Sequence, residues 1–113
     1  MLQAVTKAGY AEPTAIQARA IPPALAGKDV IGCAQTGTGK TAAFAIPMIE
    51  RLAGGEGPRA LILAPTRELA MQIQKTFELL GKPRGVYATL IVGGADMAQQ
   101  ERALRQRPDV LVA

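Results

Sequence analysis

Val30-Ile31-Gly32-Cys33-Ala34-Gln35-Thr36-Gly37-Thr38-Gly39-Lys40-Thr41 is the stretch whose reading decides the fold. An apolar run leads into a turn punctuated by glycine, and the residues from Lys40 onward read as a helix. This is the strand, loop and helix setting of a phosphate-binding loop. Gly37 and Gly39 permit backbone angles that a Cβ forbids, so the N–H groups from Ala34 through Gln35, Thr36, Gly37, Thr38 and Gly39 can turn inward toward phosphate oxygens. Lys40 is placed to reach the β and γ phosphates, and the Thr41 hydroxyl to ligate Mg²⁺. The helix N-terminus adds its partial positive charge to the same place. The general pattern opens on Gly where this chain has Ala34. By itself the loop reads as a nucleotide-phosphate cradle; GTPases, kinases and ATPases share it, so base, substrate and reaction stay open.

Working outward, β-like runs cover residues 29–34, 59–65, 87–93 and 109–113, with helical stretches between them. Ala60-Leu61-Ile62-Leu63-Ala64 is apolar throughout, as expected of a strand covered on both faces. Leu69, Ile73, Phe77 and Leu80 recur at helical spacing and form one stripe, with Gly81 as the stop. A last helix starts near Asp96, which can cap it with Gln99 at the reciprocal capping-box position; its apolar content, Met97, Ala103 and Leu104, is thin. Alternating strands and helices predict βαβ units and a parallel sheet. Residues 54–58 read as a surface loop. Before the first strand, Leu2 and Val5 suggest a short helix ending at Gly9. Glu12, preceding Pro13, is biased toward extended backbone, and Thr14 can cap a helix expected to end before Pro22 and Pro23. Pro47 is expected to kink the helix after Thr41.

The chain's 113 residues suit one domain, and at 49% hydrophobic without Trp it should build an aliphatic core. No apolar run approaches the ~18 residues of a membrane span, and no leader pattern opens the chain, so a cytoplasmic protein away from membranes is expected. Cys33, the single cysteine, is expected to pack as a small buried residue at a strand end, and with no histidine a zinc cluster is not expected. The net charge of +4 is compatible with a polyanion partner, although the charges are scattered.

Gly9-Tyr10-Ala11-Glu12-Pro13-Thr14-Ala15-Ile16-Gln17 resembles the Q motif of the DEAD-box RNA helicases, with Ala15 where a second proline is frequent. Pro65-Thr66-Arg67-Glu68-Leu69-Ala70 is similar to motif Ia of that family, Gly93-Gly94 to its GG element, and residues 108–113 to the strand that leads into the next RNA-contacting motif. The match runs in order along nearly the whole chain and is closest to the bacterial branch of the family.

The resemblance implies a P-loop, RecA-like three-layer α/β sandwich with a parallel sheet. Residues 1–28 would form the Q-motif region and 29–113 an incomplete RecA-like core. It implies ATP with Mg²⁺, the Gln17 amide reading adenine and the backbone at Glu12 assisting, since an amide can both donate to and accept from the adenine edge. The family's adenine-packing aromatic would lie just before Met1; Tyr10 reads as a packing residue. It also implies contact between an RNA backbone and Pro65, Thr66, Arg67, Gly93 and Gly94. Local physics at Arg67 alone leaves open a plain strand-to-helix turn with the arginine paired to an acidic neighbour.

The family's Asp-Glu-Ala-Asp and Ser-Ala-Thr motifs do not occur in residues 1–113. The expectation is therefore a truncated domain that holds ATP without hydrolysing it or unwinding RNA, its sheet showing a gap, re-pairing, or borrowing strands from a second copy. A P-loop ATPase or kinase that does not act on RNA, and an inert interaction fragment, are the alternatives.

Overall fold

The computed structural model describes residues 12–35, 39–94 and 96–113. The elements in order are α1 (Ala15–Leu25), α2 (Lys40–Leu52), β1 (Ala60–Ile62), α3 (Arg67–Gly81), a 3₁₀ turn (Lys82–Arg84), β2 (Ala88–Leu90), α4 (Met97–Arg105) and β3 (Val110–Val112). The strands form a parallel sheet in the order β1-β3-β2, with Leu61 opposite Leu111 and Leu111 opposite Thr89. The chain is thus α/β with a parallel sheet, as the alternation of runs predicts. The expected short helix at Leu2 and Val5, together with Tyr10, lies outside the described residues.

Strand period 2 sorts the sheet into two faces. Val110 and Val112 are fully buried and, with Ala60, Ile62, Ala88 and Leu90, pack against Ile49 of α2 and Ile73, Phe77 and Leu80 of α3. The predicted α3 stripe is therefore the centre of the core. Leu61 and, just past β1, Leu63 point the other way and are 62% and 75% exposed. Asp109 fastens the start of the sheet. Its carboxylate accepts from the Tyr87 N–H (3.0 Å) and from Arg59 Nη2 (3.3 Å), while its own N–H donates to the Tyr87 carbonyl (2.9 Å). One buried acid thereby holds the entries of β1 and β2 to β3. Among the described residues no helix is long and apolar enough to cross a membrane.

Four local expectations are corrected. Residues 29–34 belong to no regular element and pair with nothing in the sheet; Ile31 is 98% exposed and Cys33 is exposed rather than buried. A strand exists only with a ladder partner, and among the described residues none lies between this segment and β1, whose one partner is β3. β1 and this segment are not neighbours, as the gap form of the expectation has it. α1 does not stop before Pro22 but continues to Leu25. Neither proline can donate an N–H to the carbonyl four residues before it, at Ala18 or Arg19, and both of those residues are exposed, so solvent is at hand to compensate. α3 ends at Gly81 by tightening into the 3₁₀ turn rather than by a left-handed glycine; the left-handed cap is Gly85 at φ 71°. Asp96 caps α4 through the Ala98 N–H, but the side chain that reaches back is Gln100, which accepts from the Val92 N–H at 2.8 Å. Gln100 bonds the segment just past β2 instead of closing a capping box with Asp96.

Candidate functional site: a phosphate cradle and a basic platform

α2 opens without a side-chain cap. Its N-cap is Gly39, in the left-handed region at φ 81°, ψ 26°. The first-turn amides of α2 are left for an outside acceptor, and an anion is the natural one. Lys40 is the exposed first residue of that helix and Thr41 the half-buried second. Ala34 and Gln35 lie in the extended segment leading to the loop, while Thr36, Gly37 and Thr38 fall outside the described residues. Two observations fit a nucleotide's phosphates: amides without an internal cap, and a glycine whose Cβ would stand 2.3 Å from Gln17 Nε2. Among the described residues no group of three or more His, Cys, Asp or Glu forms a metal site.

Gln17 is brought to this loop from α1. It is only 3% exposed, and its amide is used at both ends. Oε1 accepts from the Thr14 N–H (3.1 Å) and Nε2 donates to the Gly39 carbonyl (3.1 Å). Thr14 and Gln17 form a reciprocal capping box at the head of α1. Sequence reasoning assigned Thr14 the cap and Gln17 a base, and missed that they are partners, although Thr-x-x-Gln is the spacing that signals it. One of the two N–H donors on Gln17 Nε2 is thus bonded to the cradle's backbone. Glu12 is exposed at the edge of this region. An apolar cavity of about 340 Å³, lined by Ile16, Ala20, Val30, Ala43 and Phe44 with Lys40, lies where the unpaired segment, α1 and α2 meet.

The second group of predicted residues gathers at the C-terminal ends of β1 and β2. Thr66 caps α3, its hydroxyl accepting from the Leu69 N–H at 3.1 Å. Pro65, Thr66 and Arg67 are exposed. Gly94 sits at φ 79°, and the Arg67 guanidinium lies against it, Nη2 falling 2.9 Å from where a Cβ would be. Around Gly93 a Cβ would meet nothing within 4 Å. Arg67 has no carboxylate partner among the described residues, whose ion pairs are Arg59–Asp109 and Arg84–Glu50. The acidic partner of the plain-turn alternative is therefore not present among the described residues. A free guanidinium, exposed helix-terminal amides and an open glycine present a surface suited to a phosphodiester backbone.

A family model described as DEAD/DEAH box helicase matches residues 14–113. The chain is 55% identical, over 114 aligned positions, to the ATP-dependent rRNA helicase RRP3 of Candida glabrata, covering 100% of this chain and 23% of that protein. It is 54% identical to the protein of the same name from Saccharomyces cerevisiae, again over 100% of this chain and 23% of the relative. Among solved structures, the RNA-helicase Prp28 from Chaetomium thermophilum bound to ADP superimposes with a TM-score of 0.90 at 46% identity, over 99% of this chain and 29% of that one. A DEAD box protein from Methanococcus jannaschii gives 0.91 at 38% identity, over 98% and 31%. The chain spans about a quarter of the length of the curated relatives it matches. The expected nearness to the bacterial branch is not borne out, since these curated relatives are yeast proteins.

Proposed function

Since the chain belongs to the DEAD/DEAH box helicase family, we propose that it is the ATP-holding part of an ATP-dependent RNA helicase, with residues 1–28 as the adenine-reading region and 29–113 as part of a RecA-like core. In this reading the loop from Ala34 to Thr41 takes the phosphates, Lys40 neutralising the β and γ groups and Thr41 sharing Mg²⁺ with them. Gln17 and the backbone at Glu12 take the adenine. Pro65, Thr66, Arg67, Gly93 and Gly94 take the RNA backbone, which carries no base sequence, so binding is general for RNA.

The observation that carries the reading is the hydrogen bond from Gln17 Nε2 to the Gly39 carbonyl. It supports the reading because Gln17 and Gly39, 22 positions apart in the chain, are bonded to each other. Within residues 1–113 these side chains bind, orient and neutralise; none is assigned to activate the attacking water. Hydrolysis and strand separation are accordingly proposed for the whole protein, and this chain alone is expected to bind ATP without turning it over.

Equilibrium titration of the 113-residue chain with fluorescent ATP and GTP analogues and with single-stranded RNA tests this. Saturable, Mg²⁺-dependent ATP binding that is weakened at least tenfold by Lys40→Ala is expected. Equal affinity for the two nucleotides with no response to Lys40→Ala would defeat the cradle. For the longer protein, ATP turnover unaffected by RNA would favour a P-loop ATPase or kinase of another kind.

A further inference from the structure

β2 is bonded to β3 along one edge, and along its other edge it has no strand neighbour among the described residues. Beside it runs a groove of about 790 Å³ lined by Lys75, Glu78, Leu79, Lys82, Tyr87 and Ala88. Three features distinguish it from ordinary surface. Tyr87 is 56% exposed, whereas Phe77, the aromatic of the core, is fully buried. Its backbone is nevertheless pinned on both sides by Asp109, which binds the Tyr87 N–H and carbonyl at 3.0 and 2.9 Å, so the ring is presented from a rigid anchor. Lys75 and Lys82 have no ion-pair partner among the described residues. The one acid in the groove, Glu78, accepts a hydrogen bond from Gln74 Nε2 at 3.2 Å.

A fixed aromatic face flanked by free ammonium groups is the arrangement that holds a single strand without regard to sequence: bases stack on the ring and phosphates pair with the cations. We propose that this groove is a second contact for single-stranded RNA, with Tyr87 stacking a base and Lys75 and Lys82 holding flanking phosphates. The exposed ring favours a nucleic acid over an acidic peptide, because the lysines alone would serve either. The inference rests on the RNA reading above but concerns a different place. Tyr87 stands at the start of β2 and Gly93 beyond its end, about 20 Å apart at strand rise. Only an RNA long enough to reach both engages both.

The test uses the full 113-residue chain and fluorescein-labelled oligo(U) of about 3 and about 20 nucleotides, lengths bracketing the about 4–16 nucleotides of a single-domain site. Tyr87→Ala is expected to weaken the long oligonucleotide about fivefold or more and to leave the short one unchanged, with Tyr87→Trp restoring the parent value. Lys75→Gln with Lys82→Gln is expected to flatten the salt dependence for the long RNA by about 1.4 in log–log slope, since each single-strand phosphate contact contributes about 0.7. If Tyr87→Ala binds long RNA like the parent while Arg67→Ala weakens both lengths, the groove proposal is overturned and the RNA reading stands. If neither variant changes a measurable affinity, or no RNA binds, both fall. Saturable binding of a poly-glutamate peptide that depends on Tyr87, with long RNA unaffected, would assign the groove to an acidic peptide and overturn the proposal.

Discussion

Replacing Gly93 and Gly94 one at a time by alanine should have opposite effects on folding, and the contrast tests the RNA platform. Gly94 is at φ 79°, where an L-residue costs about 1–2 kcal/mol. Its new Cβ would also stand 2.9 Å from Arg67 Nη2, but Arg67 is exposed and can swing aside, so that contact adds little. Gly93 has no positive φ and no neighbour within 4 Å of its would-be Cβ, so alanine there trims the freedom of the unfolded chain and stabilises by about 0.4–1 kcal/mol. The two variants should therefore differ by about 1.5–3 kcal/mol in urea unfolding followed by circular dichroism, Gly93→Ala being the more stable. In RNA binding the order should not follow stability. The Gly93→Ala methyl stands where the sugar-phosphate backbone is proposed to approach, and losing one charge-assisted contact there should weaken oligo(U) about tenfold in anisotropy titrations at fixed salt. Stability raised with affinity unchanged would remove Gly93 from the platform. Stability lowered more at Gly93 than at Gly94 would refute the backbone argument itself.

Asp109→Ala strips the Tyr87 N–H and Arg59 of their shared acceptor and should cost about 2–3 kcal/mol in the same unfolding assay; a loss below about 0.5 kcal/mol would show that the sheet entry does not depend on it. Gln17→Ala, which removes the bonds to Thr14 and Gly39, should loosen the head of α1 and raise amide exchange over its first turn about tenfold while β3 stays protected; unchanged exchange would mean that the capping box carries no weight. Leu61 and Leu63, 62% and 75% exposed beside the edge of β1 that has no strand neighbour among the described residues, should drive concentration-dependent association of the parent chain, read by sedimentation velocity. Leu63→Lys should shift it toward monomer, and a parent chain that is monomeric at every concentration would count against the edge as an interface.

Much of the fold can be read from short-range pattern. The stripe of Leu69, Ile73, Phe77 and Leu80, the cap at Thr66 and the apolar run around Ile62 depend on period and on neighbours within a turn, and α3 and β1 form where those signals stand. The candidate cradle is legible for the same reason, because Gly39, Lys40 and Thr41 are adjacent in sequence. The order of the motifs along the chain points to the family without any tertiary contact.

Contacts made across the chain were decided by tertiary structure. Whether residues 29–34 become a strand depends on a ladder partner and not on their own β-forming character, so an apolar run that reads as a strand stays unpaired, with Ile31 and Cys33 in solvent. The Gln17 amide bonds the Gly39 carbonyl because α1 packs against α2, and the Arg67 guanidinium rests on Gly94 because β1 and β2 end on the same side of β3. The sequence alone determined which residues could hold a phosphate, cap a helix or fill a core, since those are properties of side chains and their near neighbours. Which of them meet was settled only when the parallel order β1-β3-β2 placed distant segments side by side.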